Sequence, residues 1–217
     1  MVTAIVLAAG TGKRMGSKIP KQFLPLKDKT ILEHTLKCFE TCREINEIIL
    51  VIHPQWLQKG KQIANSFQKV TKIVEGGAER QDSVWAGLKE VRSDIVLVHD
   101  GVRPFVPQDL ILRVIEGTKR WGAVVPALEA KETVKWVEDR RIKKTLPREF
   151  IYLAQTPQGF KSQLLKNAYN QIPSGEIFTD DASLIEQLGY EVHIVPGYPF
   201  NLKITTTEEL EWAKQMV

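Results

Sequence analysis

The residues best suited to chemistry lie near the start of the chain. Ala4-Ile5-Val6-Leu7-Ala8-Ala9 is an apolar run that opens into Gly10-Thr11-Gly12-Lys13-Arg14-Met15-Gly16, where glycines alternate with small and cationic residues. Glycine reaches positive φ without steric cost and lets backbone N–H groups come close to an anion. Lys13 and Arg14 add positive charge at the same place, and Lys21, just after Pro20, adds a third cation. That combination suits a polyphosphate. Two better-known phosphate loops do not fit. A P-loop needs G-x-x-x-x-G-K-[ST], but Gly16 follows Gly10 by six and is succeeded by Ser17-Lys18. A dinucleotide fingerprint needs G-x-G-x-x-G; here the third glycine comes one residue late, and Pro20 and Pro25 interrupt the helix that should follow. An open loop wrapped around phosphates and an ordinary glycine-rich turn are the two readings left.

Other groups of this kind recur at intervals. Gly76-Gly77-Ala78-Glu79-Arg80-Gln81-Asp82-Ser83 and Asp100-Gly101-Val102-Arg103-Pro104 each follow an apolar run. In open α/β sheets ligand chemistry gathers beyond the carboxyl ends of the strands, so these segments are expected to converge.

The elements that position them alternate. Strands are expected at 3–7, 47–52, 72–75, 94–99 and 123–127. Helices are expected from the Thr30/Glu33 capping box to about 41, from Pro54 to about 67, over 82–90, and from Pro107 to about 120. This rhythm predicts a mostly parallel twisted sheet with helices on both faces. It breaks after 127. Segments 133–137 and 142–146 flank the charged turn Glu138-Asp139-Arg140-Arg141, which reads as a β-hairpin arm at about 130–150. A strand at 152–155, helices at about 162–170 and 180–188, a strand at 191–195, a short extended piece at 203–204 and a last helix capped by Thr206 and Glu209 complete the chain.

At 217 residues this is expected to be one domain over 1–217. Hydrophobic content of 43% and charged content of 26% belong to a globular protein, and no apolar run is long enough to span a bilayer. The early first strand leaves no room for a targeting segment, so no membrane role is expected. The net charge of +4 is dispersed among acids, with no basic run and no nucleic-acid module; small anionic substrates suit it better. Cys38 and Cys42 read as buried apolar residues on one helix face, in keeping with a cytoplasmic location. His34, His53, His99 and His193 show no metal-ligand spacing.

Taken in order, Leu7-Ala8-Ala9-Gly10-Thr11-Gly12-Lys13-Arg14-Met15, Pro20-Lys21-Gln22, Gly76 to Val84, Val98-His99-Asp100-Gly101-Val102-Arg103-Pro104, Gln155-Thr156-Pro157-Gln158, Thr179-Asp180-Asp181-Ala182-Ser183 and Asn201-Leu202-Lys203-Ile204-Thr205 resemble the cytidylyltransferases that act on 2-C-methyl-D-erythritol 4-phosphate. The resemblance covers nearly the whole chain. One departure is Gly101, where that family often has alanine; both are small, so little is expected to change.

The resemblance implies a Rossmann-like nucleotidyltransferase fold and transfer of a cytidylyl group from CTP to the sugar-alcohol phosphate with Mg²⁺ as cofactor. It implies catalytic roles for Arg14, Lys21 and Lys203. Ala8, Ala9, Gly10, Thr11 and Gly12 would hold the nucleotide, with Gly76, Gly77, Arg80 and Ser83 forming the cytosine pocket. Asp100 would serve the metal and substrate. Arg103 and Thr179 would face the sugar phosphate. Thr133 and Arg148 would reach from the arm into the neighbouring subunit of a homodimer. A phosphate monoester is mostly dianionic at neutral pH, so no general base is needed and cations carry the catalysis. The rival readings are a ribitol 5-phosphate cytidylyltransferase, a nucleotide-binding regulator without catalysis and, more remotely, a dinucleotide-dependent oxidoreductase.

Overall fold

The computed structural model describes residues 1–10, 19–172 and 176–217. The chain runs through β1 (Val2–Ala8), a 3-10 turn (Lys21–Phe23), the ribbon β2 (Pro25–Leu26) and β3 (Lys29–Thr30), α1 (Ile31–Glu40), β4 (Glu47–Ile52), α2 (Leu57–Ala64), β5 (Val70–Glu75), α3 (Arg80–Glu90) and β6 (Ile95–Asp100). It continues through α4 (Gln108–Trp121), β7 (Ala123–Glu129), β8 (Lys135–Glu138), β9 (Arg141–Thr145), β10 (Tyr152–Ala154), β11 (Gln158–Lys161), α5 (Ser162–Tyr169), α6 (Asp181–Gln187), β12 (His193–Pro196) and α7 (Thr207–Met216).

Among the described residues eight strands form one sheet in the order β10-β7-β11-β6-β1-β4-β5, with β12 also paired to β7. β1 is parallel to both β4 and β6, and Leu7 lies opposite Asp100. From β1 the next strands, β4 and β5, run to one side, while β6 lies on the other. That reversal opens a crevice beyond the ends of β1 and β6, the place where such sheets take ligands. Alternation along the strands builds two cores. Ala4, Val6, Leu50 and Leu97 pack under one helical layer, and Ile5, Val51, Val96 and Val98 under the other.

The expected capping boxes at Thr30/Glu33 and Thr206/Glu209 are present. α3 starts earlier than expected, at Arg80 rather than 82, because the Asp82 carboxylate accepts from Glu79 N at 3.0 Å and so opens the helix there. The helix expected from Pro54 is a 3-10 turn (Pro54–Trp56) followed by the short α2. Residues 203–204 form no strand; Ile204 N donates once, to Val102 O at 2.9 Å.

β11 was not expected. Gln158-Gly159-Phe160-Lys161 carries one large apolar residue, yet it lies antiparallel between β6 and β7. Gly159 sits against Thr118 and Val114 of α4 so closely that a Cβ would meet Thr118 Oγ1 at 2.2 Å, so burial rather than strand propensity decides this segment.

The arm is a separate two-stranded sheet of β8 and β9. Asp139 and Arg140 both have positive φ, 49° and 62°, as a two-residue hairpin turn requires. Every residue of both strands is exposed. Cys38 is half-buried on α1 and Cys42 is buried two residues beyond the helix; both are free thiols packed with the same core. Burial pushes the Cys38 thiol up to about 11, which makes it inert.

Candidate active site

β6 ends on Asp100, and three cations from different parts of the chain face its carboxylate. Lys203 Nζ lies 3.0 Å from Oδ2, Arg103 Nε 3.3 Å from Oδ2 and Arg80 Nε 3.9 Å from Oδ1. Burial alone would raise the pKa of Asp100. Lys203, Arg80 and Arg103 outweigh that and hold it well below the usual carboxylate range. The acid is therefore an anion at neutral pH inside a net-positive cluster.

The support beneath the cluster is polar and buried. Asp100 N donates to Thr156 Oγ1 at 3.2 Å, and that hydroxyl meets His99 Nδ1 at 3.0 Å. His99 Nε2 lies 3.2 Å from Arg103 O. A carbonyl only accepts, so Nε2 carries the proton and Nδ1 accepts from Thr156: the neutral tautomer. Burial lowers the His99 pKa to about 4, against the pull of Asp100, so the ring stays neutral. Arg103 Nη1 donates to Asn201 O at 2.8 Å. The loop with Lys203 is fastened by Glu209, whose carboxylate accepts from Thr205 N at 2.6 Å and Thr206 N at 2.9 Å.

Arg80 has a second anchor. Its Nη1 donates to Asp181 Oδ2 at 2.8 Å, and Tyr169 OH donates to Asp181 Oδ1 at 2.7 Å. Burial disfavours the guanidinium charge, but Asp181 and Asp100 outweigh it and raise its pKa above the ordinary value. The adjacent acids Asp180 and Asp181 do different work. Asp180 caps α6, accepting from Ser183 N at 3.0 Å; Asp181 is instead the buried partner of Arg80. Nothing local distinguishes the two, because Tyr169 and Arg80 come from other helices.

Two cavities adjoin at this cluster and share Arg80, Asp100 and Lys203 as a common wall. The first, about 360 Å³, is lined by Ala8, Ala9, Gly10, Lys21, Gly77 and Ser83 among others. The second, about 230 Å³, includes Arg103, Thr179 and Asp180. The structure thus brings together Ala8, Ala9, Gly10, Lys21, Gly77, Arg80, Ser83, Asp100, Arg103, Thr179 and Lys203. Thr11, Gly12 and Arg14 lie outside the described residues.

The loops follow from close packing. A Cβ on Gly76 would fall 2.3 Å from Ala9 Cβ, so glycine there lets the end of β5 lie against the start of the first loop. Gly77 N donates to Ser83 Oγ at 3.2 Å, and that hydroxyl donates to Glu79 O at 3.3 Å. Gly10 does not use the positive φ open to glycine. Among the described residues nothing lies within 4 Å of where a Cβ on Gly10 would stand. Gly101 differs from expectation: an alanine Cβ would lie 2.7 Å from Leu7 O, so alanine is not neutral at this position. Gln22, given no role from sequence, donates to Ala8 O at 2.6 Å and Gly10 O at 2.9 Å and ties down the first loop. Arg80 borders the first cavity, and its guanidinium points to the acids Asp181 and Asp100.

Thr133 and Arg148 are not brought to the cluster within this chain. Arg148 Nη1 donates to Lys131 O at 2.7 Å and lines a separate surface cavity of about 860 Å³. Among the described residues no three acidic, histidine or cysteine side chains gather as a metal cage. Magnesium does not need one: it takes one or two carboxylates together with phosphate oxygens and water. Asp100 at the junction of the cavities fits that need as a single ligand.

A mostly parallel α/β sheet whose switch point gathers cations around two adjoining cavities is suited to holding anionic ligands. The model of the 2-C-methyl-D-erythritol 4-phosphate cytidylyltransferase family matches residues 2–217. The protein of that name from Halalkalibacterium halodurans is 42% identical, over 99% of this chain and 96% of its own. That from Geotalea uraniireducens is 45% identical, over 96% and 93%. Among solved structures, the 4-diphosphocytidyl-2C-methyl-D-erythritol synthase of Anaerococcus prevotii superposes with a TM-score of 0.88 at 34% identity, over 100% of this chain and 97% of that one. The chain belongs to the 2-C-methyl-D-erythritol 4-phosphate cytidylyltransferase family and is a nucleotidyltransferase.

Proposed function

We propose that the two adjoining cavities hold the two substrates of the family reaction and that their shared cationic wall draws them together. The enzyme transfers a cytidylyl group from CTP to 2-C-methyl-D-erythritol 4-phosphate, giving 4-diphosphocytidyl-2-C-methyl-D-erythritol and pyrophosphate in the non-mevalonate route to isoprenoids. In our reading CTP occupies the larger cavity, with cytosine against the Gly76-Gly77 loop and Ser83 and the triphosphate toward Lys21. The sugar phosphate occupies the smaller one, against Arg103 and Thr179.

A phosphate oxygen of the second substrate attacks the α-phosphorus in line. A new P–O bond forms, the bond to the β-phosphate oxygen breaks, and its electron pair leaves on pyrophosphate. The attacking phosphate has a second pKa near about 6 and is already mostly dianionic, so no side chain need remove a proton. The barrier is repulsion between two anions. Lys203 and Arg80, which line both cavities, and Lys21 on the nucleotide side relieve it by charge and by orientation; Arg14, outside the described residues, would add its charge to the triphosphate on the family resemblance. Asp100 would contribute one carboxylate to Mg²⁺, which when bound neutralises triphosphate charge. Three cations already face that carboxylate, so Asp100 would hold Mg²⁺ only together with phosphate oxygens of the nucleotide.

The whole of 1–217 acts as one cytoplasmic domain, and the arm serves a homodimer. Support for the dimer comes from apolar side chains that this chain leaves uncovered: Trp136 is 53% exposed, Ile142 65% and Phe150 78%. Thr133 and Arg148 would then serve the second copy's site. The observation that carries the reading is Arg80, Asp100 and Lys203 common to both cavities. Incubation with Mg²⁺ and CTP should release pyrophosphate with 2-C-methyl-D-erythritol 4-phosphate and not with ribitol 5-phosphate or alone. Release with ribitol 5-phosphate only, or with neither, overturns it.

A further inference from the structure

The segment from Glu176 to Asp180 has no helix or strand, yet it brings Thr179 and Asp180 to the smaller cavity. Side chains from other elements hold it in place. Gln158 supports its far end, donating through Nε2 to Asp180 Oδ2 at 2.6 Å and accepting through Oε1 from Asp181 N at 3.2 Å. The near end is held by Gln81, in the first turn of α3. Its Nε2 donates to Glu176 O at 2.8 Å, and its Oε1 accepts from Phe178 N at 3.0 Å. One amide thus binds the backbone on both sides of Ile177, as a neighbouring strand would. Gln81 lines neither cavity.

The same turn of α3 carries Arg80, which reaches Asp181 at the segment's other end and Asp100 on the sheet. The nucleotide side of α3 does not depend on Gln81: Gly77, Ser83 and Glu79 are bonded among themselves. Removing the Gln81 amide therefore releases the backbone before Thr179 and leaves the nucleotide loop as it was.

On the reading that Thr179 faces the sugar phosphate, we infer that Gln81 is a positioning residue for that substrate. It fixes the backbone from which Thr179 is presented, and so sets the KM for the sugar phosphate independently of CTP.

The test compares steady-state kinetics of the parent, Gln81→Met and Thr179→Val, varying each substrate in turn, with thermal melts alongside. Methionine keeps the length and apolar stem of Gln81 and removes both bonds. Two hydrogen bonds at the weak end of the ordinary net range correspond to a rise of about five- to tenfold in KM for 2-C-methyl-D-erythritol 4-phosphate. The KM for CTP should stay within about twofold, as expected for a site whose own bonds are intact. Thr179→Val should raise the same sugar-phosphate KM. If it does and Gln81→Met does not, the inference falls alone. If neither variant changes it, the placement of Thr179 falls and the inference with it. An equal rise in both KM values in Gln81→Met would show general loosening and also overturn it.

Discussion

Replacing Asp100 by Asn should act in two opposite directions. The carboxylate lies 3.0 Å from Lys203, 3.3 Å from Arg103 and 3.9 Å from Arg80, and asparagine keeps its shape while removing its charge. Breaking a fully buried ion pair costs about 3–5 kcal/mol. Lys203 is 39% exposed, so solvent screens part of the repulsion, and a loss of about 2–3 kcal/mol is expected. For a chain of this size that corresponds to a melting temperature lower by about 5–10 °C. The freed cations should in turn bind pyrophosphate several-fold more tightly, even as kcat falls on the order of 10²-fold with the loss of the charge that orients Lys203 and Arg103. Because folding lowers the pKa of Asp100, its contribution is present above the unfolded value near about 4 and is lost as pH falls below it. The stability gap between parent and variant should hold steady from neutral pH to about 5 and close below about 4. Melts across pH and titration with pyrophosphate check this. A variant that melts with the parent at pH 7 and binds pyrophosphate more weakly refutes the reasoning.

Further outcomes follow from the same geometry. Lys21→Ala should lower turnover by orders of magnitude with the fold intact; turnover near the parent value removes Lys21 from catalysis. Gly101→Ala should cost about 1–3 kcal/mol, since its Cβ would press on Leu7 O and the strand must shift; a urea titration showing equal stability contradicts this. His99 stays neutral in the fold with a pKa of about 4, while the unfolded chain takes up a proton below about 6.5, so stability should fall by about 3 kcal/mol between those pH values. A His99→Asn variant should lack that slope, which pH-dependent melts will report. Arg148→Ala should raise the KM for the sugar phosphate and leave that for CTP unchanged; equal KM values for the sugar phosphate in parent and variant reject a role for Arg148 in the second copy's site.

Local signals were legible wherever a short stretch carries its own physics. The buried strands read as apolar runs, Thr30/Glu33 and Thr206/Glu209 are self-contained caps, and the hairpin turn shows in its charged residues. β11 was missed because its burial comes from α4 rather than from its own composition. Gln22, Gln81, Tyr169 and Asp181 were given no roles because the significance of each lies in a partner elsewhere in the chain; Asp181 meets Arg80 across 101 positions.

The amino-acid order alone determined the chemical inventory: glycine-rich turns after strands, cations beside them, and an acid at the end of an apolar run. Those are properties of neighbouring residues, and neighbours are what a linear order specifies. The tertiary structure decided how the inventory is deployed: β1 beside β6, Lys203 and Arg80 on one carboxylate, and two cavities with one wall. Strand order and ion pairing depend on which distant surfaces exclude water together, and that is settled only when the two cores pack on the sheet.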